Sequence, residues 1–190
     1  MSKKRCGWCV GDPLYERYHD EEWGRPVHDD RLFFEFLLLE SFQAGLSWIT
    51  ILKKREHFRV AFDDFDYRKI AQYTDQKKAA LRQDKGIIRN KLKINAAVSN
   101  AQHFLKIQQE FGSFDRYIWR FVHGKPLQNE VEDYRTRPAT TPLSDQISKD
   151  LKKRGFKFVG STIVYSFLQA TGLINDHETS CFRNAALKPT

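Results

Sequence analysis

An all-α fold is predicted by three observations. Apolar residues recur at i, i+3, i+4 and i+7 along most of the chain, no segment alternates apolar and polar residues as a half-buried strand does, and capping residues punctuate the apolar stretches at helical intervals. The length of 190 residues and the 41% hydrophobic content suit one unit over 1–190, or two small lobes sharing an interface, with core enough to dispense with disulfides. An odd count of 3 cysteines argues the same way. Met1 to Arg5 leads into no apolar signal run, and no stretch reaches the ~18 apolar residues that span a bilayer, so no membrane contact is expected and a cytoplasmic setting is. A net charge of +8 with 14% aromatic residues points to a polyanionic partner.

The elements follow in order. Asp29 or Asp30 caps a helix over Arg31 to Ala44, ended by Gly45, and Ser47 opens a second from Trp48 to Phe62. Thr74 opens a third toward Asp84. Lys85-Gly86 then turns into a long helix on which Ile94, Ala97, Val98, Ala101, Phe104 and Leu105 form a buried stripe. Gly112-Ser113 ends it and starts a shorter helix through Tyr117, Trp119 and Phe121. Residues 123–143, with Gly124, Pro126, Pro138 and Pro142, read as the one long linker. Ser144 caps a helix to Arg154, and Ser161 to Thr171 form the last.

Four features carry candidate chemistry. Cys6-x12-His19 and His177-x3-Cys181 form a Cys₂His₂ set at opposite ends of the chain, the donor types zinc takes tetrahedrally; Cys6-Gly7-Trp8-Cys9 is equally a redox CxxC, and both patterns arise incidentally. Glu40 lies roughly 140° round its helix from Glu35, which faces Arg31 as an i,i+4 pair, and so shares the stripe of Phe33, Phe36 and Leu37. A carboxylate there needs either an internal salt bridge or a cationic, donor-rich ligand. Trp8, Tyr15, Tyr18 and Trp23 crowd a polar, turn-rich segment and Trp48 follows the Glu40 helix: a core cluster, or faces for a planar or cationic ring. Finally, Gly155 and Gly160 bracket a turn between two helices whose backbone N–H groups can face a phosphate, with Lys152, Lys153, Arg154 and Lys157 adding charge, although basic residues also complement a helix C-terminus.

Several blocks carry a resemblance: Cys6-Gly7-Trp8, Asp12-Pro13-Leu14-Tyr15, Tyr18-His19-Asp20, Glu22-Trp23-Gly24, Gln43-Ala44-Gly45-Leu46-Ser47-Trp48-Ile49-Thr50, Leu52-Lys53-Lys54-Arg55-Glu56, Gly86-Ile87-Ile88-Arg89, Lys152 through Gly160, and Asn175-Asp176-His177. From Cys6 to Cys181 the chain resembles type I DNA-3-methyladenine glycosylases, matching least from Glu130 to Arg137 and after Cys181. The resemblance implies a fold of the helix-hairpin-helix glycosylase superfamily, with residues 144–171 as that motif. It also implies a structural zinc held by Cys6, His19, His177 and Cys181, joining the terminal segments 1–28 and 172–190, with Cys9 outside the ligand set. The implied activity is monofunctional hydrolysis of the N-glycosidic bond of 3-methyladenine in double-stranded DNA, by a protein acting as a monomer. In that setting Glu40 is the expected catalytic and base-binding carboxylate, and Trp8, Tyr15, Tyr18, Trp23 and Trp48 the base-binding wall. Gly45, Leu46, Arg154, Gly155, Lys157 and Gly160 are expected on DNA, with Lys53, Lys54 and Arg89 extending the basic field. Asp176 is a weaker candidate for orienting water. The rival expectations are a zinc-containing DNA-binding module without catalysis and a metal-dependent nuclease.

Overall fold

The computed structural model describes residues 3–186. Residues 1–2 and 187–190, parts of the expected terminal segments, lie outside the described residues. The helices are α1 (Pro13–Glu21), α2 (Asp30–Gln43), α3 (Trp48–Leu52), α4 (Arg55–Ala61), α5 (Tyr67–Ile70), α6 (Asp75–Gln83), α7 (Lys91–Phe111), α8 (Phe114–Trp119), α9 (Pro142–Lys153), α10 (Ser161–Ala170) and α11 (Phe182–Ala186). Two-residue strands β1 (Leu127–Gln128) and β2 (Ile174–Asn175) pair in parallel.

Helix α2 is the axis of the molecule. The Asp29 carboxylate accepts from the Leu32 N–H at 2.7 Å to start it, and every residue from Phe33 to Phe42 is buried. A helix apolar nearly all round is stable only when packed on all sides, and α3, α7, α8 and α10 supply that packing. Its two interior carboxylates are therefore both out of water. Glu35 does not pair with Arg31 as the i,i+4 spacing predicts: Arg31 reaches the backbone and carboxylate of Asp64, while Glu35 accepts from Arg55 at 2.7 Å and Arg59 at 2.9 Å. Burial selects partners that α4 brings in from the side.

The expected helix from Trp48 to Phe62 is two. At Lys53-Lys54 the Lys54 N–H turns back to Ile51 O at 2.9 Å, which tightens the turn and starts α4 in a new direction. Both pieces thereby reach the core, through Ile51 and Leu52 on one side and Phe58 on the other. The long helix begins at Lys91, not beside Gly86, because the Asn90 side chain accepts from the N–H groups of Leu92 and Lys93. Thr141 is the N-cap of α9, with Ser144 its reciprocal partner one turn on.

Helices α1, α5 and α11 and the strand pair β1–β2 fall where no helix or strand was expected. Helix α1 starts with Asp12 accepting from Leu14 and Tyr15 and with Pro13 in its first turn. The 123–143 segment is pinned to the C-terminal segment, through the β1–β2 pair and a Thr179 N–H bond to Val131 O at 2.7 Å. Two-residue strands have no period to read. Helix α11 follows Cys181. The chain ends also meet directly: at Gly172 (φ 71°) a Cβ would stand 2.2 Å from the Arg25 carbonyl carbon, so only glycine allows the approach.

Candidate active site and metal centre

Six residues singled out from sequence converge on one cavity of about 290 Å³. Trp8 enters from the short 3-10 turn Gly7–Cys9, Tyr15 and Tyr18 from α1, Trp23 from just beyond it, Glu40 from α2 and Trp48 from the first turn of α3. The aromatics hold one another edge to face, with Trp8 4.8 Å from Tyr15 and 5.0 Å from Trp23, and Tyr18 lies 5.5 Å from Trp48. Such contacts fix the rings so that their remaining faces form a wall.

Glu40 is 2% exposed, has no ion-pair partner among the described residues, and its Oε2 accepts no hydrogen bond. Burial pushes its pKa well above the usual carboxylate range. The same burial, together with the Glu40 charge, raises the Tyr15 phenol to about 12 and the Tyr18 phenol well above its ordinary value, keeping both as neutral donors. Glu35, one and a half turns earlier on α2, shows the alternative of a carboxylate saturated by two arginines.

Gln43, Tyr134, Arg137, Ser166 and Gln169 complete the lining and were not read from sequence. Gln43 follows Glu40 by three residues on the same helix face, a signal that was available. Tyr134 and Arg137 come from the expected linker, where no pattern marks them. Seven buried side-chain polar atoms lack partners among the described residues, and five belong to this lining: Trp8 Nε1, Glu40 Oε2, Gln43 Oε1, Trp48 Nε1 and Arg137 Nη1. Each unmet group costs about 1–3 kcal/mol. The two indole donors and the two acceptors left open in an aromatic cavity are complementary to a flat ligand with both kinds of group, while Arg137 also fronts a neighbouring cleft.

Beside the cavity, Cys6, His19, His177 and Cys181 are all buried, with their donor atoms within 4.8 Å of one another. His19 Nε2 and His177 Nδ1 are 3.2 Å apart, and three sulfur–nitrogen separations are 3.4, 3.5 and 3.6 Å. Ligand edges of about 3.3 Å between nitrogens and about 3.6 Å between nitrogen and sulfur follow from tetrahedral zinc bonds of about 2.0–2.3 Å. The outer contacts fix the tautomers: His19 Nδ1 donates to Asp20 at 2.9 Å and His177 Nε2 to the Trp23 carbonyl at 3.1 Å, leaving a lone pair on each inner nitrogen. The Glu178 N–H points at Cys6 Sγ from 3.2 Å and the Arg183 N–H at Cys181 Sγ from 3.4 Å, as thiolates require. Cys9 stands apart, its thiol donating to the Cys6 carbonyl at 3.2 Å, and no cysteine is in a disulfide. The four residues can hold a metal ion.

A family profile described as methyladenine glycosylase matches residues 8–184. This chain belongs to the methyladenine glycosylase family. DNA-3-methyladenine glycosylase 1 of Escherichia coli K12 is 48% identical over 98% of this chain and 100% of its own length. A solved structure of 3-methyladenine DNA glycosylase I from Staphylococcus aureus, concerned with its recognition of 3-methyladenine, superposes with a TM-score of 0.92 at 42% identity, covering 100% of this chain and 99% of that one. A variant of a 3-methyladenine DNA glycosylase I in complex with 3-methyladenine superposes at 0.91, again 42% identical, over 98% of both chains.

On this glycosylase-family chain the remaining predicted residues fall in two places. Gly45 (φ 80°) turns the chain after α2, and Leu46 beside it is 42% exposed, so it is no core residue. Between α9 and α10, Gly155 (φ 96°) packs so closely that a Cβ would meet His103 Nε2 at 2.5 Å. Lys157 is exposed, its backbone N–H and C=O both held by Asn100 at 2.9 and 3.0 Å, and Gly160 opens α10 without a side-chain cap. Arg154 is committed to Glu110 at 2.6 Å and Asp150 at 2.8 Å, so it braces the turn and is not a free cation. Asp176 lies outside the cavity, its oxygens accepting from Tyr165, Gln169 and Asn129. No helix among the described residues is long and apolar enough to cross a membrane.

Proposed function

We infer that this protein acts in base-excision repair, hydrolysing the N-glycosidic bond of 3-methyladenine in alkylated double-stranded DNA to leave the free base and an abasic site. The observation that carries this is the unpaired, buried Glu40 carboxyl in a wall of indoles and phenols. Methylation at N3 makes the adenine cationic. The base therefore departs as a neutral molecule with the electron pair of the broken C–N bond, and needs little acid catalysis. What remains for the protein is selection and charge stabilisation.

Each residue has a part in that scheme. The base leaves the duplex at a cost of a few kcal/mol and enters the cavity. Trp48 and Tyr18 stack on or edge it while Trp8, Tyr15 and Trp23 close the wall, and cation–π attraction of about 0.5–2 kcal/mol favours the alkylated base over neutral adenine. Glu40 accepts hydrogen bonds from the base edge and supplies opposite charge. Water then adds to the sugar carbon, giving up a proton, as the base leaves. Among the described lining residues there is no lysine to form a Schiff base, which favours simple hydrolysis without strand cleavage.

The metal that fits Cys6, His19, His177 and Cys181 is zinc, in a structural role, because four protein ligands leave no open position. It would hold the segment bearing Trp8 and Trp23 against the helical body. On the helix-hairpin-helix reading of α9, α10 and their turn, Gly155, Lys157 and Gly160 grip one DNA backbone, and Gly45-Leu46 fills the gap left by the extruded base. Incubating the protein with methylated duplex DNA and analysing free bases and strand lengths tests the whole. Release of 3-methyladenine with intact strands is expected; binding without base release would leave a DNA-binding module, and cut strands a nuclease.

A further inference from the structure

Arg137 carries a charge that neither the fold nor the base pocket uses. It follows the Tyr134–Thr136 turn, in the stretch expected from sequence to be a linker. Its Nε donates to the Tyr134 carbonyl at 3.2 Å and its guanidinium lies 5.7 Å from the Trp23 ring centroid, but its buried Nη1 has no partner. No carboxylate forms a salt bridge with it among the described residues. Glu40 shares the pocket without pairing to it, and Asp176, across a neighbouring cavity of about 390 Å³, already accepts from three side chains.

A free cation beside a pocket for a cationic base opposes binding unless it faces an anion. Arg137 also lines a second cleft of about 190 Å³, which shares Tyr134, Ser166 and Gln169 with the base pocket and runs outward past Pro138 and Thr162. A nucleotide whose base occupies the pocket brings its flanking phosphates to the pocket mouth, one sugar away. The planar guanidinium fork matches a phosphodiester's two free oxygens.

We propose that Arg137 binds a phosphodiester flanking the extruded nucleotide, in the cleft beside Pro138 and Thr162, and so anchors the distorted strand. The assignment rests on the glycosylase reading above. It makes Arg137 a substrate contact that acts on DNA and not on the base.

Arg137→Met and Arg137→Lys, compared with the unaltered protein, test it. Tryptophan fluorescence reads binding of free 3-methyladenine, and titrations across a salt series read binding of a duplex carrying an abasic-site analogue. For Arg137→Met the base affinity stays within about twofold, duplex affinity falls about tenfold, the size of one charge-assisted hydrogen bond, and the salt slope drops by about one. Arg137→Lys restores the slope but only part of the affinity. An unchanged duplex affinity and slope in either folded variant overturns the proposal. So does a parallel loss of base affinity, which would make Arg137 part of the base pocket. Failure of the glycosylase reading is separate: it shows as absence of 3-methyladenine release by the unaltered protein.

Discussion

Lys93 donates from its ammonium to the Ala44 carbonyl at 2.6 Å, tying the end of the Glu40 helix to the long helix α7. A second bond to Phe42 O, at 2.8 Å, makes Lys93 the cap for the last carbonyls of α2, where a cation also meets the negative end of the helix dipole. Lys93 is 6% exposed, and burial lowers its pKa. Replacing it by methionine leaves two buried carbonyls unmet. Lys93→Met is expected to destabilise the fold by about 1–3 kcal/mol and to loosen the Gly45-Leu46 turn. Urea melts measure the first, and excision from duplex falling more than affinity for the free base measures the second. An unmoved midpoint would show that water serves those carbonyls equally well.

Glu40 should oppose stability and serve function. Its folded pKa is raised above the ordinary 4.5. A neutral carboxyl in the fold contributes fully below that value, and the contribution is lost as pH rises through the folded pKa. Glu40→Gln, neutral at every pH, is therefore expected to melt higher than the unaltered protein at neutral pH and level with it below the ordinary carboxyl range. Excision should fall about a hundredfold, as when one matched electrostatic partner is removed from a developing charge. A stable variant with full activity would take Glu40 out of the reaction.

Loss of the proposed metal should act through the chain ends. With Cys181→Ala, or after chelation, Trp8 and Trp23 lose the anchor that holds them against α2, since His177 bonds the Trp23 carbonyl and Cys6 precedes Trp8 by two residues. Lower melting temperature and a shifted tryptophan spectrum, in step with lost excision, are expected. Cys9→Ser should leave metal content unchanged, because its thiol donates to the Cys6 carbonyl and lies outside the four-residue cluster. A chelated protein that keeps its fold and spectrum yet loses all activity would instead make the metal catalytic.

The aromatic wall of the cavity was legible because its residues are chemically conspicuous: indoles in a polar segment, and an acid on an apolar helix face. Glu40 declared itself by helical angle alone. The far wall was not legible, since Tyr134 and Arg137 reach the cavity only after a two-residue strand pair and the Val131–Thr179 bond fold the 123–143 stretch back onto the C-terminal segment. Those contacts are long-range and carry no local period. Arg31 and Glu35 show the same limit in reverse. Their spacing fits an ion pair, but α4 supplies Arg55 and Arg59, and Asp64 takes Arg31.

The two proposed DNA contacts should separate by what they recognise. Leu46 is exposed beside the Gly45 turn, so Leu46→Ala has no core to disturb and should change stability by no more than about 0.5 kcal/mol. If it fills the space of the extruded base, excision from duplex falls several-fold while excision from single-stranded DNA, which has no stack to fill, does not. Lys157→Ala, on the α9–α10 turn, should weaken binding to damaged and undamaged duplex alike and lower the salt slope by about one. The pair is diagnostic. A Leu46 effect that follows salt, or a Lys157 effect confined to damaged DNA, would exchange their assigned roles, because backbone charge is read at every site and an unstacked gap exists only where a base has left.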